Sequence, residues 1–519
     1  MKRSFLPTTA LLIVFILGSI SRVAALCGML VEPWDMQPVN VPVISQNERK
    51  IFNKSSKVIM ARIDGQTVIT MLNDFKGHSK DFAMIVPVPE LIERNQIRIP
   101  KEEIFDKLEA FTAPRAMEQR DLNPCESYAI ATGTRIFDDS EMIESVPTTN
   151  SATSVGVPQD FTVTVHKEYT VGEYDIVILS AEQSNGLKDW LKLNKYKIPS
   201  NAEEVLDPYV KQGMKFFIAK VSLDNVAGSG FQTLSPLQLT FRSDKFMLPI
   251  RLGMANSDGN DQDLIVYTLT ERGRVETANY RTVNIASELA VPTFVKSAFE
   301  RFYEDVFETT WEKEGKNVGV LEFGWNISDN SPVKCDPCVA ALPTYHDLRE
   351  AGAFWVGEHP NAFTGNLYLT RLHFRYNRQT FPQDLEFIET PNKVNFQSRY
   401  HYRIPAQGGL ACDEAQFYLQ ELVQYRQQEL NNLASAANWD LAPYKDYVQS
   451  YKNQLKRTGH MDFLDRLPPK EERDRGGFFL WLPQFPQGML PFTLLVLGIM
   501  SLFLLHNRIY GNRHLRTYP

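Results

Sequence analysis

Apolar positions along the chain fall into short strand-length runs in the first half and into helical stripes across much of the second. Residues 58–63, 67–72 and 82–88 are β-branched or apolar runs set off by the turn signals Asp64-Gly65 and Lys76-Gly77-His78, which predicts a meander. A helix is expected over 101–111, where Ile104, Leu108 and Phe111 recur at helical spacing after Pro100. The Ser-, Thr-, Val- and Asp-rich stretch 138–160 reads as an exposed loop, followed by strands at 161–171 and 174–181 and helices at 185–193 and 202–212. The pattern changes at Pro292. Residues 294–311 place Val295, Phe299, Phe302, Val306 and Phe307 on one stripe, and strands are expected at 317–323 and at 367–374, the latter through Leu367, Leu369 and Leu372. Two amphipathic helices follow. One covers 413–434 with Leu419, Leu422, Leu430 and Leu433, the other 443–455 with Tyr444, Tyr447, Val448, Tyr451 and Leu455, and packing as a hairpin is the simple expectation. The fold class is therefore α+β: a β-rich first half and a mixed α/β second half ending in a helix pair. A parallel sheet stays open as the alternative.

An internal echo suggests how the first half is built. Residues 57–63 (KVIMARI) match 215–221 (KFFIAKV) in type at every place, and Phe82-Ala-Met-Ile-Val-Pro87 answers Phe246-Met-Leu-Pro-Ile250, with a second strand, 67–72 or 236–241, between them in each case. Any two buried strands share apolar letters. A duplicated β-unit makes a sharper expectation: Ala61 superposes on Ala219 and Phe82 on Phe246.

The two most apolar runs set an expected topology. Residues 489–505 (MLPFTLLVLGIMSLFLL) carry no charge, and at about 1.5 Å per residue they suffice for one membrane-spanning helix. Trp481 and Phe485 precede this run as interfacial anchors, and Arg508, Arg513 and Arg516 follow it without an acid, which puts that side in the cytoplasm. Near the other end, Lys2 and Arg3 precede an apolar stretch from Ala10 to Ile20, and Val23-Ala24-Ala25 offers a signal-peptidase site. Leu26 stands where a lipobox needs a small residue, which disfavours lipidation of Cys27. The expected organisation is a signal peptide (1–25), a β-rich ectodomain (26–291), a mixed α/β and helical ectodomain (292–456), a charged, Pro468-Pro469-containing stalk (457–488), a transmembrane helix (489–505) and a cytoplasmic tail (506–519). The expected location is thus the cell membrane, single-pass, with the ectodomain outside.

Composition adds little beyond this. Hydrophobic residues make up 43% of the chain, enough for sizeable cores, and the formal charge is −7. Without the three positive charges of the signal and the three of the tail, the exterior stands at −13, which disfavours a nucleic-acid partner. The sequons at Asn53 and Asn326 leave glycosylation open.

Five cysteines carry the candidate chemistry: Cys27, Cys125, Cys335, Cys338 and Cys412. An oxidising compartment favours two bridges and one free thiol, with Cys27–Cys125 as the preferred pair because it staples the mature N-terminus. Cys335-Asp-Pro-Cys338 has the C-x-P-C form of thiol–disulfide centres, in which the spacing lowers one thiol's pKa and supplies its resolving partner. The strand before it ends about eleven residues early and Pro343 interrupts any following helix, so a structural bridge, within the pair or to Cys412, is the expectation. A zinc site from Cys335, Cys338 and two of His346, His359 and His373 would need wider histidine spacing than structural zinc motifs use. The acidic loop 256–263 departs from the EF-hand order, since Gly259 at the sixth place puts Met254 first and Ile265 twelfth. Nucleophile-elbow, H-E-x-x-H, phosphate-loop and dinucleotide signatures are absent. No cofactor or metal is expected.

Several segments resemble a known family. Cys27-Gly28, Phe82-Ala-Met-Ile-Val-Pro-Val-Pro89, Thr112-Ala-Pro-Arg115, Asn123-Pro-Cys125, Asn185-Gly-Leu-Lys-Asp-Trp-Leu191, Gln212-Gly-Met-Lys-Phe-Phe217, Phe246-Met-Leu-Pro-Ile-Arg-Leu-Gly253, Gly273-Arg-Val-Glu-Thr277, Cys335-Asp-Pro-Cys338 and Asn395-Phe-Gln-Ser-Arg-Tyr400 are similar to exported bacterial proteins of the DUF2330 family, across nearly all of the ectodomain. Many members carry a second cysteine shortly after the first, where this chain has Leu30 and Val31. The resemblance implies export and architecture and supplies no chemistry. A non-catalytic binding or scaffolding module for a protein or cell-envelope ligand is the leading expectation, with an oxidoreductase using Cys335 and Cys338 as the alternative.

Overall fold

The computed structural model describes residues 29–33, 56–75, 81–126, 163–197, 202–222, 232–256, 261–360, 362–410 and 412–457. The expected signal peptide, Cys27, Asn53, the 138–160 loop, nearly all of the stalk, the 489–505 span and the tail lie outside them. Among the described residues no helix is long and apolar enough to cross a membrane.

In chain order the main elements are β1 (Met29–Pro33), β2 (Ser56–Ile63), β3 (Gln66–Phe75), β4 (Asp81–Val88), α1 (Glu103–Thr112), β5 (Val163–Val171), β6 (Tyr174–Ala181), α2 (Ser184–Leu193), α3 (Ala202–Lys211), β7 (Lys215–Ser222), β8 (Leu237–Arg242), β9 (Gln262–Thr270), α4 (Phe299–Lys313), β10 (Val318–Asn326), β11 (Tyr368–Tyr376), β12 (Arg399–Ile404) and α5 (Asp413–Ala437). A six-stranded sheet runs β5-β6-β7-β4-β1 and ends on Tyr196–Lys197, while the main path of a ten-stranded sheet runs from Arg281–Asn284 through β10-β11-β9-β2-β3-β8 to Ile97–Arg98. The fold is mixed α+β, as expected.

The two sheets face each other across the largest core. Val58, Met60, Ile69, Met71, Leu239 and Leu264 of the larger sheet meet Met84, Val86, Ile176, Ile178, Phe217 and Ala219 of the smaller one. Each outer face is covered by helices. On the smaller sheet Ala83, Ile85, Phe216 and Ile218 pack under Leu187 and Leu191 of α2 and Leu206 and Tyr209 of α3; on the larger, Ile59, Ala61, Val68 and Tyr267 pack under Ile104, Phe105 and Leu108 of α1. Strands buried on both faces need apolar residues at nearly every place, which explains runs such as Ala83-Met-Ile-Val86 and Val58-Ile-Met-Ala61.

That double burial also accounts for the misleading echo. β2 lies in the larger sheet and β7 in the smaller, and β7 pairs antiparallel with β4, Ile218 opposite Ile85. Ala61 faces the α1 side while Ala219 faces the opposing sheet, so the two alanines are not equivalent. The expected duplicated β-unit is not present: the shared letters record only that both strands are covered twice. Nor do the first strands form a meander. β2 and β3 close a hairpin through Asp64 (φ 46°) and Gly65 (φ 79°), the two positive-φ positions such a tight turn demands, and β4 then leaves for the other sheet to pair with β1 and β7.

The larger sheet takes strands from both sides of the expected 291/292 boundary, and the described residues up to Lys452 fall within one compact unit. The stripe expected over 294–311 appears as a 3₁₀ turn, Thr293–Ala298, leading into α4. α5 buries Leu419, Leu422, Leu430 and Leu433. It packs on α4 and on the Leu289–Ala290 strand beside β12, and the Tyr447 hydroxyl donates to its Glu429 (2.9 Å).

Candidate functional site

The cysteines form two separate bridges. Cys125 bonds Cys412, with Cα atoms 5.5 Å apart, and Cys335 bonds Cys338. The preferred Cys27–Cys125 pair is thereby corrected: Cys125 is held at the N-cap of α5, and Cys27 lies outside the described residues. The advantage of stapling the N-terminus was a poor guide, because the partner of Cys125 arrives through the fold from 287 residues away. Cys335 is buried and Cys338 exposed, and no helix begins at either. Their loop is pinned from outside: Arg115 donates to the Pro337 carbonyl (2.9 Å), Arg399 binds the Asp336 carboxylate (2.8 Å), and Gln397 donates to Pro337 (3.3 Å). His346, His359 and His373 are not gathered around it. His373 lies instead in the larger sheet, and the described residues hold no cluster of His, Cys, Asp and Glu suited to a metal. Of the acidic loop, Asp261 accepts from the Asn377 amide (2.5 Å) and Asp263 binds Arg375, so both serve protein partners.

The densest polar constellation is one the sequence reading missed. β11 alternates Arg371, His373 and Arg375 on its helix-covered face, opposite Leu372 and Phe374 in the inter-sheet core. Next to it, β10 carries an irregularity between Leu321 and Phe323, an extra residue that sets Glu322 on this same face. Glu322 is fully buried; it accepts from Arg371 Nε (2.5 Å), sits 2.8 Å from His373 Nδ1, and receives the Tyr303 hydroxyl of α4. Arg371 also binds Glu109 of α1 (2.8 Å), which in turn takes the Tyr267 hydroxyl (2.5 Å) and Lys57 (3.3 Å). Arg375 forks onto Asp263 (2.8 and 3.1 Å) and lies over the rings of Phe307 and Trp311.

Burial alone would push the Glu322 and Glu109 carboxyls up, but Arg371 holds each at about 2. Burial likewise works against a charged His373, and Glu322 and Asp263 outweigh it, so its pKa is raised. The period-two spacing of Arg371, His373 and Arg375 within an apolar strand was the available signal. The centre of this ladder, Arg371 and Glu322, is buried and charge-paired, while Glu109, Lys57 and Asp263 at its ends are partly exposed.

One concave feature among the described residues lies between the sheets. A cavity of about 390 Å³, within the range of small-molecule sites, opens where β4 ends. Ile69 and Met71 of β3 and Leu239 and Phe241 of β8 form one wall, and Val86, Pro87, Val88 and Pro89 form the other. Met214 closes a third side. It is brought there by Gly213 (φ 69°), which ends α3: Met214 N donates to Tyr209 O (3.0 Å) and Gly213 N to Val210 O (2.9 Å), turning the chain straight into β7. Met247, Leu248 and Pro249 complete the lining, with Met247 and Leu248 paired to Glu386 and Leu385. Behind them the buried Asp384 carboxylate accepts from Ile250 N (2.9 Å), Arg251 N (3.1 Å) and the Tyr209 hydroxyl (2.7 Å), fixing this wall to α3. Three segments quoted above for their family resemblance, 82–89, 212–217 and 246–253, thus meet at the cavity. Its polar lining is confined to Gln212, Ser243 and Lys245.

These features define a β-rich α+β protein with an apolar cavity between two helix-backed sheets. The chain belongs to the DUF2330 family, described as uncharacterized protein conserved in bacteria, whose model matches residues 40–388. The match leaves out Cys27-Gly28 and 395–400, so it is narrower than the resemblance suggested. No curated protein and no solved structure matches the chain.

Proposed function

We propose that the chain is an exported, membrane-tethered binding module that takes an apolar small molecule into the cavity between its sheets. The cavity carries this reading: its walls come from four distant parts of the chain, and Met71, Met214 and Met247 give it side chains able to adapt to a guest. The charge-free run 489–505 and the signal-like N-terminus support the tether and the outside location. The oxidoreductase alternative draws less support, because the exposed sulfur is that of Cys338, the loop is pinned at three points, and no helix N-terminus is there to stabilise a thiolate.

The test compares organic extracts of the purified full-length chain with those of Leu239→Trp, in which the indole fills the cavity, by mass spectrometry. A compound retained by the wild type and lost from the folded variant is expected; identical extracts would sink the reading. Protease applied to spheroplasts should digest the region before residue 489 and spare a C-terminal tag.

A further inference from the structure

Polarity in the cavity is distributed unevenly. The deep wall (Met71, Val86, Leu239, Leu248) is apolar, and three of the fifteen lining residues are prolines, which have no N–H to offer a guest. Recognition of any polar group is thereby left to Gln212, Ser243 and Lys245, three side chains able to donate a hydrogen bond. Lys245 is the sole cation among the lining residues and no acid accompanies it. Its ammonium is already turned to a carboxylate, that of Glu386, at 2.8 Å, with both side chains partly exposed. Glu386 is outside the lining, so a ligand carboxylate at the mouth would exchange with a group of its own kind.

Resting on the binding reading above, we propose that the ligand is a single-chain amphiphile ending in a carboxylate, its alkyl tail between the sheets and its head held by Lys245, Ser243 and Gln212. Glu386 acts as an internal competitor for the head. This arrangement sets the direction of two substitutions. Removing the cation weakens the acid and leaves a neutral analogue unchanged; removing the competitor strengthens the acid and again leaves the analogue unchanged.

The experiment irradiates the full-length chain with a diazirine-bearing dodecanoate, or with its methyl ester, and maps adducts by peptide mass spectrometry. The acid is expected to label peptides containing Met71 and Met214 at lower concentration than the ester. Lys245→Gln should reduce that preference about 2- to 5-fold, the range for one partly exposed ion pair, and the surface substitution Glu386→Gln should increase it. Labelling of the cavity by neither probe overturns the binding reading itself. Equal labelling by both, or a preference that neither substitution alters, overturns the carboxylate assignment and leaves apolar binding in place.

Discussion

The buried ladder makes a quantitative demand on stability. Glu322→Gln keeps the shape of the side chain and removes its charge, leaving Arg371 with Glu109 and His373 with Asp263 as their remaining counter-charges. Two independent arguments set the magnitude. A carboxyl that drops from an ordinary 4.5 to about 2 on folding contributes roughly 3 kcal/mol at neutral pH, and removing one partner of a buried pair costs about 3–5 kcal/mol. Urea unfolding of the full-length chain, followed through Trp311 and Trp325 fluorescence, should show a lower midpoint at an unchanged slope. The sign with pH is fixed as well. Because the folded pKa is depressed, this contribution is present above about 4.5 and is lost as pH falls toward 2, so the wild-type advantage should shrink between pH 7 and pH 3. Replacing both charges, Glu322→Leu with Arg371→Met, should recover more than half of the loss, since no lone charge then remains at the centre of the ladder. A single-variant loss under about 1 kcal/mol at pH 7, or a deficit undiminished at pH 3, would refute the view that Arg371 and Glu322 hold each other in place.

Three further outcomes follow from the same structure. His373, facing Glu322, Asp263, Arg375 and the Phe307 ring, has a raised folded pKa, so the stability it adds is complete below about 6.5 and lost as pH rises through that folded value; His373→Gln should flatten this part of the pH–stability curve. Cys412→Ser releases a bridge spanning 287 residues and should cost about 2–5 kcal/mol, read as a lower urea midpoint that reductant no longer shifts further through this bond. Cys338→Ser should lower the melting temperature while leaving diazirine labelling of the cavity intact; loss of labelling would mean that the 335–338 loop shapes the cavity.

What could be read from the sequence was local. α1, α2, α3, α4 and α5 were visible because a helix buries a stripe whose spacing is written within ten to twenty residues, and the Asp64-Gly65 turn because positive φ at two adjacent positions restricts the residues that fit. Many of the strands were visible too, though β1, β9 and β12 were not, and the sheet each belongs to was not. A strand covered on both faces is apolar throughout, so its letters do not say which side meets a helix and which the other sheet, and the resemblance of β2 to β7 passed for a duplication.

Pairings at long range were decided by the tertiary structure alone. Cys125 finds Cys412 because α5 brings its N-cap to the 123–126 turn, a contact with no trace in the spacing of the cysteines. Glu322 reaches Arg371 and His373 because one extra residue in β10 sets it on the helix-covered face, and the cavity exists because β3, β4, β8 and the end of α3 converge. Residue type sets what each segment can bury, but which buried surfaces meet depends on the packing of all of them at once.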